Sequence, residues 1–373
     1  MLEFMTCGES HNKYLMAILE GMPSGLRVDS DLIREELARR QKGYGRGARM
    51  KIERDEVAIT SGVIAGKTTG APVGFLLVNR ETKLGELPEL FRPRPGHADL
   101  AGALKYATGI RAILERASAR ETVLRVAIGG LVRQLLAFFG IEIASHVVRV
   151  GEACLSGKEP VPFDQVRRAR DSMMNCVSSR LESDICRMIE RAQKQGDTLG
   201  GVFEVRVKGV PAGLGSHAHY SRKLDARLAH AVLSIQAIKG VEFGLGFELG
   251  ALNGSRVHDE IFYGKDRGYF RKTNHAGGIE GGMSNGGEIS LRAVMKPIST
   301  LARPLRSVNM KTKKPEKASY ERSDISAVPA ASVIAEAAVA FEIARAFLEK
   351  FGGDSVPEIE RNFRGYLRQL RGR

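Results

Sequence analysis

The chain lacks tryptophan altogether and carries only four cysteines, and aromatic residues make up just 6% of its 373 positions. So few aromatics leave little from which to build the stacking platforms on which single-stranded nucleic acids lie. Cys7, Cys154, Cys176 and Cys186 form no CxxC pair and no zinc spacing. No disulfide framework and no metal site is therefore expected, and the thiols read as reduced and cytoplasmic. A signal peptide is not expected either, because no basic segment precedes an apolar run at the N-terminus. The longest apolar stretch, 327–348, is interrupted by Glu336, Glu342 and Arg345, which argues against a membrane span. Acidic residues are in deficit, with 43 Asp and Glu against 57 Lys and Arg, a formal charge of +14.

A surplus of that size calls for an anionic partner, and the candidates are nucleic acid, an acidic membrane surface or a small polyanion. No zinc-finger, helix-turn-helix or RNA-recognition signature is present. The arginines stand instead in short motifs beside glycine, serine and histidine, which favours a small, multiply charged substrate. Hydrophobic content of 43% and charged content of 27% are those of a soluble globular protein. No linker-like tract or internal repeat divides the chain, so one compact domain over 1–373 is expected.

Periodicity predicts a mixed α/β protein of the α+β type. Helices are expected at 31–41, 180–195, 221–238 and 329–351, and a helix-like run at Tyr14–Gly21. One long helix is expected from about 99 or 110 to about 139, stopped by Gly140. Strands are expected at 57–64 and 71–78, and near 141–150, 201–209, 241–248 and 288–296.

Six segments carry residues suited to chemistry. In Arg92-Pro93-Arg94-Pro95-Gly96-His97 the prolines stiffen a strip that presents two cations and an imidazole. Taken alone, the strip is explained slightly better by a solvated basic loop. Gly8-Glu9-Ser10-His11 places an imidazole after an acid and a hydroxyl, although an ordinary helix cap would look the same. Arg39-Arg40, Gly43-Tyr44-Gly45-Arg46-Gly47 and Arg49 combine close backbone approach with planar cationic forks. Arg116-Ala117-Ser118-Ala119-Arg120 lies inside the expected long helix and puts two arginines four apart on one shared face. Gly277 to Gly287 holds six glycines in eleven residues and reads as a backbone-lined ligand loop. Further on, Glu321-Arg322-Ser323-Asp324 joins an anion anchor to a carboxylate, and the basic, aperiodic 303–317 before it reads as a mobile loop over a site or simply a solvated one.

Taken in order, these segments resemble chorismate synthase. The resemblance rests on GESH at 8–11, RRQKGYGRGARMKIE at 39–53, RPRPGHADL at 92–100 and RASARET at 116–122. It continues through LDARLAHAVLSIQAIKGVEFGLGF at 224–247, AGGIEGGMSNG at 276–286, MKPISTL at 295–301 and ERSDISAVPAA at 321–331. It implies a β-α-β sandwich with helices between antiparallel sheets, assembled as a homotetramer. The reaction implied is the 1,4-anti elimination of phosphate from 5-enolpyruvylshikimate 3-phosphate to give chorismate, dependent on reduced FMN.

The resemblance also implies roles, position by position. His11 would protonate the departing phosphate, His97 would protonate or hold the reduced flavin, and Asp324 would help remove a flavin proton. Arg40, Arg46, Arg49, Arg94 and Arg120 would grip the substrate anions. Arg116, Ala117, Ser118, Gln236, Ala237, Gly281, Lys296, Pro297, Ile298, Ser299, Thr300 and Arg322 match flavin-contacting positions. Arg40 and Arg46 also match nicotinamide dinucleotide contacts, although NADPH is expected to act only indirectly, through an external flavin reductase. Two departures stand out: Asn12-Lys13 where the family usually has glycine, and Ala117 in place of a common serine. An RNA-binding protein and a flavin-independent phosphate-ester hydrolase using His11 and His97 are the competing readings.

Overall fold

The computed structural model describes residues 1–46, 55–80, 82, 84–157, 160–265, 268–321 and 323–372. Arg49 and Arg322 lie outside the described residues. Two antiparallel sheets enclose a helical layer. The first has the strand order Glu3–Cys7, Tyr14–Glu20, Val73–Val78, Val57–Ser61. The second runs Ile238–Phe243, Ile289–Met295, Gly201–Lys208, Glu142–Val150, Ala153–Cys154.

The layer between them is built on two helices. Thr122–Phe138 packs against the first sheet, and Val328–Phe351 packs against both it and the second sheet. Both are apolar around most of their circumference, as a helix covered on all sides must be. They approach closely at Gly129, where a Cβ would stand 2.4 Å from that of Ala337. This is the sandwich that the resemblance implied. No helix among the described residues is long and apolar enough to cross a membrane.

Three expectations are corrected. Tyr14–Glu20 is a strand, because its burial alternates: Leu15, Ala17 and Leu19 face the core while Met16 and Ile18 face outward. The long helix is three helices, Asp99–Tyr106, Ile110–Ala117 and Thr122–Phe138. Ala107 ends the first in a left-handed conformation, and Ser118 is extended (ψ 139) and opens a single 3-10 turn. Residues 303–317 are not aperiodic, since Arg306–Val308 and Pro315–Lys317 pair as a two-stranded ribbon. Smaller differences also occur. The 221–238 helix is confined to Leu224–Leu233, and the strand expected at 241–248 spans Ile238–Phe243.

The Ser30–Gln41 helix, capped by Asp29, is anchored from inside. The fully buried Glu336 receives Arg39 through Nη2 at 2.8 Å and Nη1 at 2.9 Å. It also receives Arg133 at 2.6 Å and the Ser145 hydroxyl at 2.6 Å. Burial would raise the Glu336 carboxyl, but the two guanidiniums outweigh it and hold the group below the ordinary range. With Arg39 fixed inward, the next residue, Arg40, turns toward the functional site.

Candidate active site

Breaking the expected long helix at Ser118 decides where the arginines go. Arg116 stays at the surface and donates to the carbonyls of Gly8 at 3.1 Å and Thr6 at 3.0 Å. Arg120 is buried and donates to Asn79 Oδ1 through Nε at 3.0 Å and Nη2 at 2.8 Å. The two do not share a face. Asn79 in turn donates to the carbonyls of Ser10 at 3.2 Å and Asn12 at 2.6 Å, tying Arg120 to the His11 loop.

Asp55 sits between two of the predicted anion-binding arginines. Its Oδ2 accepts from Arg40 Nη1 at 3.0 Å, and its Oδ1 accepts from Arg120 Nη1. Arg40 also donates to Thr122 Oγ1 and to the Ala119 carbonyl, both at 3.1 Å. Burial pulls the Arg40 guanidinium down to about 10, with Asp55 opposing and Arg120 and Arg46 adding to the effect. Arg46 pairs with Asp324 at 3.2 Å. One buried carboxylate thus balances two guanidiniums, and the remaining positive charge suits an anionic ligand.

The two histidines each face a carboxylate that the sequence reading did not single out. His11 Nδ1 lies 3.0 Å from both oxygens of Glu115, and its backbone N–H donates to Glu115 Oε2 at 2.9 Å. Burial raises the Glu115 carboxyl, but the hydrogen bonds from His11 prevail and hold it below its ordinary value. His97 Nδ1 lies 2.5 Å from Asp99 Oδ1. Asp99 also takes Arg94 Nε at 2.8 Å and the Arg94 backbone N–H at 3.0 Å. Those contacts overcome burial and keep Asp99 well below the usual carboxylate range.

A series of contacts connects the two histidines. Behind Glu115 stands Arg111 at 3.8 Å, which donates to Glu321 at 3.2 Å. Two residues on, the Ser323 hydroxyl donates to the Thr300 carbonyl at 3.1 Å. Thr300 Oγ1 accepts from Arg94 Nη1 at 2.8 Å, which leads to His97.

Most of the predicted flavin positions join the same set. The backbone N–H of Lys296 donates to the Ala237 carbonyl at 2.9 Å, and its ammonium donates to the Gly96 carbonyl. Burial and then Lys239 lower the Lys296 ammonium below its ordinary value. Gln236 reaches Glu121 at 3.5 Å, and Glu121 accepts from the Thr6 hydroxyl at 3.0 Å, beside Arg116. The Ser118 and Ser10 hydroxyls are 3.2 Å apart, which draws Ala117 and Ser118 to the His11 loop. Pro297, Ile298 and Ser299 link Lys296 to Thr300, with the Ile298 carbonyl accepting from Thr198 at 2.7 Å.

Gly281 is not brought to this set. It forms a hairpin turn with Gly282, both at positive φ, and the Gly282 carbonyl accepts from Leu224. Leu224 opens the helix that ends just before Gln236, so Gly281 lies about one ten-residue helix, or roughly 15 Å, from that residue. The glycines around it serve close packing: a Cβ on Gly278 would meet the Glu288 carbonyl oxygen at 2.5 Å. The Asn12 side chain turns to Glu9 at 2.7 Å, away from His11.

Of the carboxylates missed, Glu115 and Asp99 left a signal. One directly precedes Arg116 and the other lies two residues after His97. Asp55 and Asn79 left none, because only the fold brings them to Arg120. Among the described residues, no group of three or more His, Cys, Asp and Glu is placed to hold a metal.

The chain matches the family model described as chorismate synthase over residues 2–348. It is 54% identical to the chorismate synthase of Pelobacter propionicus, with all of both chains covered. It is 50% identical to that of Alkaliphilus metalliredigens, covering 98% of this chain and 99% of the other. A solved structure titled "Crystal Structure of Chorismate Synthase" superposes with a TM-score of 0.84 at 40% identity, covering 100% of this chain and 99% of that one. The chain therefore belongs to the chorismate synthase family, lyases that serve aromatic amino-acid biosynthesis by the shikimate pathway.

Proposed function

We propose that the site between His11 and His97 eliminates phosphate from 5-enolpyruvylshikimate 3-phosphate with reduced FMN bound beside the substrate. The observation that carries this reading is a pair of contact series, from His11 through Glu115 and Arg111 to Glu321 and, two residues along the chain, from Ser323 through Thr300 and Arg94 to His97. It joins an imidazole set among arginines to a second imidazole among the flavin-matching residues.

The residues present fit a flavin. The buried amide oxygen of Gln236 has no hydrogen-bond partner among the described residues, and Ala237 beside it holds a left-handed backbone at φ 67. An acceptor in want of a donor, one residue from the Ala237 carbonyl that takes the Lys296 N–H, suits a ring system carrying both N–H and carbonyl groups. Gln236, Ala237, Lys296 to Thr300 and Arg116 to Ser118 would hold it, with Arg322 as a further position. When bound, reduced FMN supplies the transient electron density that weakens the C–O bond to phosphate, with no net redox change.

The protein's own contribution is orientation, charge and proton handling. Arg40, Arg46, Arg49 and Arg120 hold the carboxylates and phosphate. Arg94, committed to Asp99 and Thr300, serves the other end by fixing His97. His11 gives a proton to the phosphate as it leaves, a task for which an imidazole is suited near neutral pH. Asp324, held by Arg46, stands as the carboxylate for the proton at the cofactor end. The 373 residues act as one domain in the cytoplasm, and an external reductase, drawing on NADPH, supplies the reduced flavin. The outward face of the first sheet, with Met5, Met16, Ile18 and Val78 exposed, supports assembly into a homotetramer.

The test is anaerobic incubation of the purified protein with 5-enolpyruvylshikimate 3-phosphate and chemically reduced FMN. Chorismate and phosphate should form in equal amounts, and none with oxidised FMN, with or without NADPH. Phosphate release without flavin would instead identify a hydrolase. Sedimentation should give the mass of four chains.

A further inference from the structure

We infer that Glu115 is a positioning residue for His11, holding the ring by Nδ1 so that proton exchange with the substrate takes place at Nε2. The inference rests on the proposed role of His11 as the proton donor to phosphate.

Glu115 occupies the last turn of Ile110–Ala117 and is almost wholly buried. It engages the His11 loop three times. Its backbone carbonyl accepts from the Ser10 N–H at 3.0 Å, its Oε2 accepts from the His11 N–H at 2.9 Å, and both carboxylate oxygens lie 3.0 Å from Nδ1. The next residue, Arg116, fastens the preceding backbone through the Gly8 and Thr6 carbonyls. One helix end therefore sets the course of residues 6–11, and Glu115 holds the ring by Nδ1.

An ionised carboxylate only accepts hydrogen bonds, so the ring atom facing it must carry a proton. The neutral imidazole is then the Nδ1–H tautomer with its lone pair on Nε2. In the imidazolium, the transferable proton is the one on Nε2. The low position of the Glu115 carboxyl, described above, keeps it ionised across the neutral range. Its cationic neighbour, Arg111, stands off at 3.8 Å and leaves most of the carboxylate's hydrogen-bonding capacity to His11. An amide at this position has a single acceptor oxygen and no charge. With that oxygen on the His11 N–H, its NH2 faces Nδ1 and favours the opposite tautomer.

The experiment uses full-length protein with 15N-labelled histidine, wild type and Glu115→Gln, with His11 assigned from the spectrum of His11→Asn. Ring 15N shifts are read at a pH where the spectrum itself reports a neutral ring. Reduced-FMN turnover is measured in parallel. The wild type should show Nδ1–H on His11. Glu115→Gln should move the population toward Nε2–H and lower kcat roughly 100-fold with KM little changed. Glu115→Asp, which keeps the charge, should recover part of kcat.

Nε2–H as the wild-type tautomer would overturn the inference however the variants behave, including a Glu115→Gln protein that fails to fold. Unchanged tautomer and unchanged kcat in a folded Glu115→Gln protein would overturn it as well. A wild-type protein with the Nδ1–H form but no turnover would support the positioning geometry and sink the functional reading instead.

Discussion

His11 and His97 each turn Nδ1 to a buried carboxylate, yet the two pairs are backed differently. Asp99 is gripped by Arg94 through Nε at 2.8 Å, the backbone N–H at 3.0 Å and Nη2 at 3.1 Å. Arg94 Nη2 also lies 3.1 Å from His97 Nδ1 itself. Among the described residues the Glu115 carboxylate has only Arg111, at 3.8 Å, besides its contacts to His11. The negative charge beside His97 is therefore shared between the histidine and a guanidinium, whereas the charge beside His11 goes mainly to the histidine. A ring locked into a neutralised, rigid cluster suits holding a cofactor. A ring backed by an available carboxylate suits giving up and regaining a proton. The same two residue types thus serve two ends of one site, and the arginine's distance separates them.

That contrast can be broken by substitution. The largest effect should fall on stability at the His97 end. Asp99→Asn strands the buried Arg94 without its counter-charge and should cost about 3–5 kcal/mol, measured by denaturant unfolding. Glu115→Gln should cost less, about 1–3 kcal/mol, because it weakens hydrogen bonds without leaving a tightly paired guanidinium alone. If the two cost the same, the difference in backing is not what sets these clusters apart.

Acid titration sharpens the comparison next. Asp99 and Glu115 both have folded-state values below their unfolded ones. Each contributes stability that is fully present above the ordinary carboxylate range, about pH 4, and is lost as pH falls through the folded value. Glu336 acts with the same sign. Asp99→Asn should flatten the acid limb of the stability curve more than Glu115→Gln, because Asp99 is held further below its ordinary value. Equal limbs in the two variants would contradict the assignment.

The smallest effect belongs to the Arg306–Val308 and Pro315–Lys317 ribbon. It is pinned to the His97 strip by hydrogen bonds from Met310 to Phe91 at 2.8 Å and from Ser307 to Pro93 at 2.6 Å. Neutralising the exposed Lys311 and Lys314 together should leave Tm unchanged and lower kcat/KM severalfold at low ionic strength. High salt should remove the difference.

The sequence made some of this legible and hid the rest for identifiable reasons. Both central helices were foreseen because continuous apolar residues need no partner to be recognised. The Tyr14–Glu20 strand was missed because its outward positions, Met16 and Ile18, are apolar too, which blurs a period of two. The long helix was drawn through Ser118 because apolar spacing carries across a short break, while a single extended residue leaves no periodic trace. At the site, the histidines and arginines were readable from their motifs. Asp99 lies in one of those motifs and Glu115 directly beside another, but their role depends on burial, which spacing does not encode. Asp55 and Asn79 became partners of Arg120 only through the packing of the first sheet against the helical layer.

The account's central claim is that the two histidines divide one site into a proton-donating end and a cofactor-holding end. It is tested most directly by titrating reduced FMN anaerobically into His11→Ala and His97→Ala and measuring turnover of both. His11→Ala should bind flavin as the wild type does while losing roughly 10²- to 10⁴-fold in turnover. His97→Ala should bind flavin measurably more weakly. Equal loss of flavin affinity in both variants, or undiminished turnover in His11→Ala, would contradict the division.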